Sequence, residues 1–321
     1  MSRMTRVLAL SPHKIRMESA EDRTPAACLD KVVRYLDAHL ADAFAFRPDL
    51  IVLPEACDRS DCWTMAERLA FYEYRGDKIR DYLQELAVRH HCNIAYSAAC
   101  RLDGVYRNCT QFLNRNGTVD GIYCKNHLVP SEYTDGGIWY GTESPIIETD
   151  FGRVGGMICF DIHFDALREQ YMKSRPEVLV YSSHHHGSFL QQYWAYSCQS
   201  YLVAAVHADH GCGQILNPVG KVLAHSTYRS PWIACADIDL DYRILHWDEN
   251  WPKLMEAQRK YGPALHICEP DGLLGLLMLT YSGTDTTVGE IMTAFGLKTW
   301  DAYYNQCNEA RAAALIEQAA R

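Results

Sequence analysis

The sequence predicts an α/β fold, a mixed sheet or a pair of sheets with helices outside. Short continuous apolar runs alternate with segments whose apolar residues recur at helical spacing. Asn114-Arg115-Asn116-Gly117 and Asn217-Pro218-Val219-Gly220 each sit between strand-like runs, which adds hairpins to the βα units.

The elements follow in order. Arg6 to Ser11 reads as a strand. Thr24-Pro25 reads as a helix cap with proline in the first turn, and Leu29, Val32, Val33, Leu36 and Leu40 give one apolar face. Leu50 to Leu53 is apolar throughout, as in a strand covered on both faces. Ile79, Tyr82, Leu83 and Leu86 mark a second helix, and Asn93 to Ala99 the next strand. Cys109 to Leu113 and Val119 to Tyr123 form the first hairpin. Arg153 to Cys159 is a strand whose Gly155-Gly156 pair implies close backbone approach by a neighbour. Asp165 to Lys173 and Phe189 to Ser200 read as helices, and Val178 to Tyr181 and Tyr201 to Val206 as strands. Gln214 to Leu216 and Lys221 to Leu223 form the second hairpin, and Trp232 to Ile238 closes the series. One domain is expected over residues 1–247. Residues 248–321 read as a loop-rich extension ending in a helix from about Thr299 to Ala320, packing on the domain or on a partner subunit.

Composition limits the function. The chain has 321 residues, 48% hydrophobic and 22% charged, as in ordinary globular proteins. A net charge of −9 argues against binding nucleic acid or an anionic membrane through bulk charge. The apolar run Leu273 to Leu279 is far short of the ~20 residues that cross a bilayer. Val7 to Leu10 is too short for a secretory signal, so a cytoplasmic protein with reduced thiols is expected. Its thirteen cysteines include no CxxC pair, the closest being Cys57 and Cys62. Most read as small core residues.

Three reactive side chains sit where apolar strands end. Glu55 follows Leu50-Ile51-Val52-Leu53-Pro54, Lys125 follows Ile122-Tyr123-Cys124, and Cys159 ends Val154-Gly155-Gly156-Met157-Ile158. Strand ends of open α/β sheets are where sites assemble. Alone, such a cysteine reads as core, such a glutamate as a cap and such a lysine as a solvated strand end. Together a carboxylate, an amine and a thiol suffice for nucleophilic acyl transfer. Their reference pKa values leave proton transfer from thiol to carboxylate uphill by about 4 units, or ~5.7 kcal/mol. Burial that raises the Glu55 carboxyl, and an ammonium that stabilises the thiolate, are expected to narrow that gap.

These stretches resemble the nitrilase, or carbon–nitrogen hydrolase, superfamily. The matching segments are Leu50 to Glu55, Cys124-Lys125-Asn126-His127-Leu128 and Gly155-Gly156-Met157-Ile158-Cys159-Phe160-Asp161, preceded by Asp150-Phe151-Gly152-Arg153. The resemblance spans roughly residues 5 to 240. It implies an αββα four-layer sandwich, homo-oligomers (dimer or higher) built by sheet extension, and catalysis by Glu55, Lys125 and Cys159. It also implies a site role for Glu132 in the loop after Lys125. Where amidase-like members read Cys-Tyr-Asp-x-Arg, this chain has His163 in place of the arginine, which argues against an N-carbamoyl amino acid substrate. Phe160-Asp161 in place of Trp-Glu favours amide over nitrile cleavage. Phe160 and His163 are expected near substrate. So is His184, from the His184-His185-His186 run after a strand, a run in which at most two rings converge. Tyr133, Trp139 and Tyr140 are candidates for an aromatic wall.

The expected function is a cysteine-dependent amidohydrolase that cleaves a small linear amide or carbamoyl compound through a thioester. Neither metal nor organic cofactor is expected. The rival readings are an acyltransferase or nitrile hydrolase with the same triad, and a non-catalytic scaffold of the same fold.

Overall fold

The computed structural model describes residues 2–17, 24–60 and 63–321; Cys62 lies outside the described residues. It divides into two compact units, residues 5–238 and residues 239–321 with the N-terminal residues 2–4.

Strand β1 (Met4–Leu10) opens the larger unit. Helix α1 (Pro25–Phe44) starts where Thr24 Oγ accepts the Ala27 N–H at 3.3 Å. After β2 (Leu50–Val52) come α2 (Met65–Arg75), α3 (Lys78–His90) and β3 (Asn93–Leu102). A tight turn with Asp103 and Gly104 both at positive φ reverses the chain into β4 (Val105–Leu113), which pairs with β5 (Val119–Cys124). Short elements α4 (Pro130–Thr134), β6 (Ile138–Trp139) and β7 (Ile147–Glu148) lead to β8 (Arg153–Ile158) and a 3₁₀ turn, Cys159–His163. Then follow α5 (Asp165–Ser174), β9 (Val178–Ser183), α6 (Phe189–Cys198), β10 (Tyr201–Val206), β11 (Gln214–Leu216), β12 (Val222–His225) and β13 (Ile233–Asp239).

These strands make two sheets. One has the order β13-β1-β2-β3-β4-β5 with β6 beside β4, the other β12-β11-β10-β9-β8-β7. The parallel pairs β1/β2/β3 and β8/β9/β10 are joined by helical crossovers, as parallel pairing requires. The sheets face each other, β2 against β9 and β10, β4 and β5 against β8. Helices α1 and α3 cover the first sheet from outside, and Leu36, Leu40, Ile79 and Leu83 join Leu8, Ile51 and Ile94 in one core. Truncating a buried leucine there, such as Leu83, would cost ~2–5 kcal/mol. Helices α5 and α6 cover the second sheet. The result is the four-layer αββα sandwich.

The paired glycines set how closely β8 is packed below the strand ends, Gly156 against the opposite sheet and Gly155 against α5. A Cβ on Gly156 would lie 2.6 Å from Tyr123 Cβ on β5, and one on Gly155 2.7 Å from the Tyr171 ring. Only glycine allows β5 and β8 to approach this closely. Tyr123 precedes Lys125 and Gly156 precedes Cys159, so this approach brings lysine and thiol toward one another.

The smaller unit departs from the loop-rich expectation. It contains β14 (Tyr242–His246), α7 (Trp251–Tyr261), β15 (Leu265–Cys268), β16 (Leu276–Tyr281), α8 (Val288–Phe295) and α9 (Trp300–Ala319). The strands form an antiparallel sheet of order β14-β16-β15 over a core of Leu245, Leu254, Leu277, Leu279 and Ile291. The Glu269-Pro270-Asp271-Gly272 turn cluster conceals the β15/β16 hairpin, because it leaves each flanking run short. No helix among the described residues is long and apolar enough to cross a membrane.

Candidate active site

Glu55, Lys125 and Cys159 leave the ends of β2, β5 and β8, and the first two meet directly. Lys125 Nζ donates to Glu55 Oε1 at 2.9 Å and to Glu132 Oε2 at 2.8 Å. Glu55 and Lys125 are almost wholly buried, while the Glu132 side chain keeps 24% of its exposure. The Asn108 amide donates to both carboxylates, 2.8 Å to Glu55 Oε1 and 3.0 Å to Glu132 Oε1. The Val129 N–H fixes Glu132 Oε2 at 2.8 Å. The second Glu55 oxygen accepts the His184 backbone N–H at 3.2 Å.

Neighbouring segments lock the loop that carries Glu55. Ser182 Oγ donates to Leu53 O at 2.8 Å, tying the end of β9 to the end of β2. The His207 Nε2 lies 2.9 Å from Glu55 O, and the rings of His184 and His207 stack with centroids 4.9 Å apart.

Cys159 occupies a strained corner. Its φ of 46° lies in the left-handed region, which costs a non-glycine residue ~1–3 kcal/mol. Asp161, fully buried, holds the corner in place. Its carboxylate accepts the Ile158 N–H at 3.0 Å, the Tyr123 hydroxyl at 2.7 Å and the His127 N–H at 2.8 Å. One side chain thereby clamps the turn that carries the thiol to the segment that carries Lys125.

The electrostatics reverse one expectation. Burial alone would raise the Glu55 carboxyl. The charges of Lys125 and His184 and the hydrogen bonds from Lys125 and Asn108 outweigh it and hold the carboxyl well below the usual range. Burial likewise disfavours the Lys125 ammonium, but Glu55 and Glu132 raise its pKa well above the ordinary value. Burial first, then the Glu55 charge, pushes the Cys159 thiol up to about 12. Lys125, the Ser183 hydroxyl and the His184 N–H act in the opposite direction but do not prevail. The gap between thiol and carboxyl therefore widens in the resting site. Burial of the sulfur beside the Glu55 charge widens it from one side, and the cations around Glu55 widen it from the other.

The family model for carbon-nitrogen hydrolase matches residues 17–245. The chain belongs to the carbon–nitrogen hydrolase family. Among the relatives of this carbon–nitrogen hydrolase, the probable nitrilase C965.09 of Schizosaccharomyces pombe is 26% identical over 212 residues, covering 60% of this chain and 76% of that one. The deaminated glutathione amidase of Mus musculus is 30% identical over 196 residues, covering 52% of this chain and 56% of that one. The chain thus spans little more than half of the mouse protein. Among solved structures, the C. elegans NitFhit protein gives a TM-score of 0.63 at 20% identity, covering 81% of this chain and 64% of that one. Saccharomyces cerevisiae Nit3, of the nitrilase superfamily, gives 0.59 at 17%, covering 81% and 94%. At these identities the likeness shows the fold, and it is the nitrilase sandwich. The family and its amidase-named members support a hydrolase of carbon–nitrogen bonds other than peptide bonds.

The structure brings some expected residues of this hydrolase together and leaves others apart. Glu132 and His184 sit in the cluster. Phe160 is half-buried beside Cys159, its ring against His163 and Phe164. His163 is exposed at the far end of the turn, its ring stacked toward His185 rather than the carboxylates. Tyr133, Trp139 and Tyr140 form an exposed aromatic group, with Tyr133 touching both of the others. Asn108, Asp161 and Ser183 do work that sequence reasoning did not assign to them. For Asp161 and Ser183 the signal is a polar residue at the end of an apolar strand; Asn108, inside β4, lacks it.

Proposed function

We propose that this carbon–nitrogen hydrolase cleaves a small linear amide or carbamoyl compound through a thioester on Cys159. The observation that carries the reading is Lys125 held between Glu55 and Glu132, with the Cys159 thiol within the field of Glu55 and Lys125.

The charge arrangement dictates the order of events. Lys125 with two carboxylates already leaves one net negative charge, so a free thiolate would add a second in a dry pocket. The thiol therefore stays protonated at rest. Its proton passes to Glu55 as the sulfur bonds to the carbonyl carbon, and the new charge travels to the carbonyl oxygen. There the Lys125 ammonium and the Phe160 N–H receive it, each worth about 3 kcal/mol. Protonated Glu55 then gives its proton to the departing nitrogen, and the C–N bond breaks. Water, deprotonated by Glu55, attacks the thioester and frees the acid and the thiol. Glu132 and Asn108 keep Lys125 and Glu55 in register throughout.

Relatives named as amidases, among them the Omega-amidase NIT2 of Danio rerio, support amide cleavage over nitrile cleavage. The test is ammonia release from a panel of amides, carbamoyl compounds and nitriles. The reading expects amides to lead and the Cys159→Ala variant to be silent. Folded protein that releases ammonia from no member of the panel, or only from nitriles, overturns it.

A further inference from the structure

A thiol pair outside the proposed chemistry flanks the site residues. Cys109 on β4 and Cys124 on β5 follow Asn108 and precede Lys125 in the chain. The two cysteines are direct cross-strand partners, and their sulfurs lie 3.4 Å apart. The Lys125 N–H donates to Asn108 O at 2.8 Å, so that pair is the hydrogen-bonded one. By the alternation of antiparallel ladders, Cys109 and Cys124 form a non-hydrogen-bonded pair, whose Cα atoms stand about 4.5 Å apart. That separation falls within the range a disulfide spans, so the sulfurs need only close to about 2.05 Å by side-chain rotation.

We propose that Cys109 and Cys124 are a redox modification site, a cross-strand dithiol that a peroxide converts to an intrachain disulfide. The two sulfurs have different roles. Cys124 is half-buried and reachable, whereas Cys109 is fully buried. The hydrogen bond from Cys109 and the Arg107 guanidinium lower the Cys124 pKa, while burial raises that of Cys109. Cys124 sulfur attacks one peroxide oxygen, the O–O bond breaks, and water leaves with a sulfenic acid formed. Cys109 sulfur then attacks the Cys124 sulfur, the S–O bond breaks, and a second water leaves. The two sulfurs lose two electrons in all and the peroxide gains them. Cys159, whose thiol is pushed up to about 12, reacts more slowly than this pair.

Trypsin separates the two residues by cutting after Arg107, Arg115 and Lys125. The intact chain is reduced, freed of reductant, exposed to hydrogen peroxide, blocked with iodoacetamide and digested without reduction. The expected first product is the peptide from Asn108 to Arg115 joined to the peptide from Asn116 to Lys125, separable again by dithiothreitol, with Cys159 still unoxidised. Cys100 on β3 also lies within hydrogen-bonding reach of Cys109 and is the competing thiol, so the cross-link is expected to persist in Cys100→Ser and vanish in Cys124→Ser. Cys109 joined to Cys100 instead, Cys124 halted at sulfinic acid, or oxidation of Cys159 ahead of the pair overturns the proposal. The wild-type map and Cys100→Ser decide the matter even if Cys124→Ser does not fold.

Discussion

Glu55 and Asp58 lie in the same loop after β2, both are buried, and both face a buried cation. Asp58 pairs with Arg75 of α2 and accepts the Tyr96 hydroxyl at 2.7 Å, while Arg75 also donates to Ala99 O. That group is sealed, with Arg75 at 3% exposure and Asp58 at none. The Glu55 group opens through half-exposed Glu132 onto a thiol at a strained corner. A buried ion pair is thus no sign of chemistry in itself. Access distinguishes the two, for Cys57 beside Asp58 is buried with it whereas Cys159 keeps partial exposure.

The sharpest way to break this contrast is to neutralise each carboxylate. Glu55→Gln is expected to lower kcat by ~10²–10⁴-fold, the share of a positioned acid–base group, with circular dichroism unchanged. Asp58→Ala strands the Arg75 charge and is expected to cost ~3–5 kcal/mol in urea unfolding, with kcat per folded molecule preserved. If Asp58→Ala instead lowers kcat without loss of stability, the two clusters are not of different kinds. Glu132→Gln loosens Lys125 without removing it, and misplacement of that size is expected to lower kcat/KM by ~10–100-fold in steady-state assays.

Effects of pH sharpen the same distinction. A carboxyl held below its unfolded pKa stabilises the fold above the unfolded value, and the contribution fades as pH falls toward the folded one. The stability difference between wild type and Glu55→Gln is therefore expected to shrink below about pH 4.3 in acid titrations. Iodoacetamide labelling of Cys159 should climb steadily through pH 9 and 10, because its thiol is pushed up to about 12. A plateau near the ordinary thiol value of about 8.5 contradicts the charge arrangement drawn here. The smallest effect is expected for His163→Ala, whose exposed ring stands apart from the carboxylates; a large fall in kcat/KM would place it at the substrate after all.

The strand ends were legible because a reactive side chain directly after an apolar run is conspicuous in Leu53-Pro54-Glu55 and Ile158-Cys159. Of the two glycines, Gly156 makes the sheet contact that joins them. Helix α2 carries its own signal, the Thr64/Glu67 capping box, and the Asp103-Gly104 turn marks β3/β4. Asn108 was hidden because Arg107 beside it makes the start of β4 look solvated. The direction of the Glu55 shift could not be read at all. It depends on the Lys125 and His184 charges and the Asn108 amide outweighing burial at one carboxylate, which is a property of packing and not of spacing.

The most direct test of the account is to look for the covalent intermediate. The protein is mixed with a cleavable amide, quenched in acid within the first turnovers and mapped by mass spectrometry. The account predicts an acyl group on the peptide that carries Cys159, absent from Cys159→Ala and lost on treatment with hydroxylamine. An acyl group on any other residue, or undiminished ammonia release by Cys159→Ala, would contradict it.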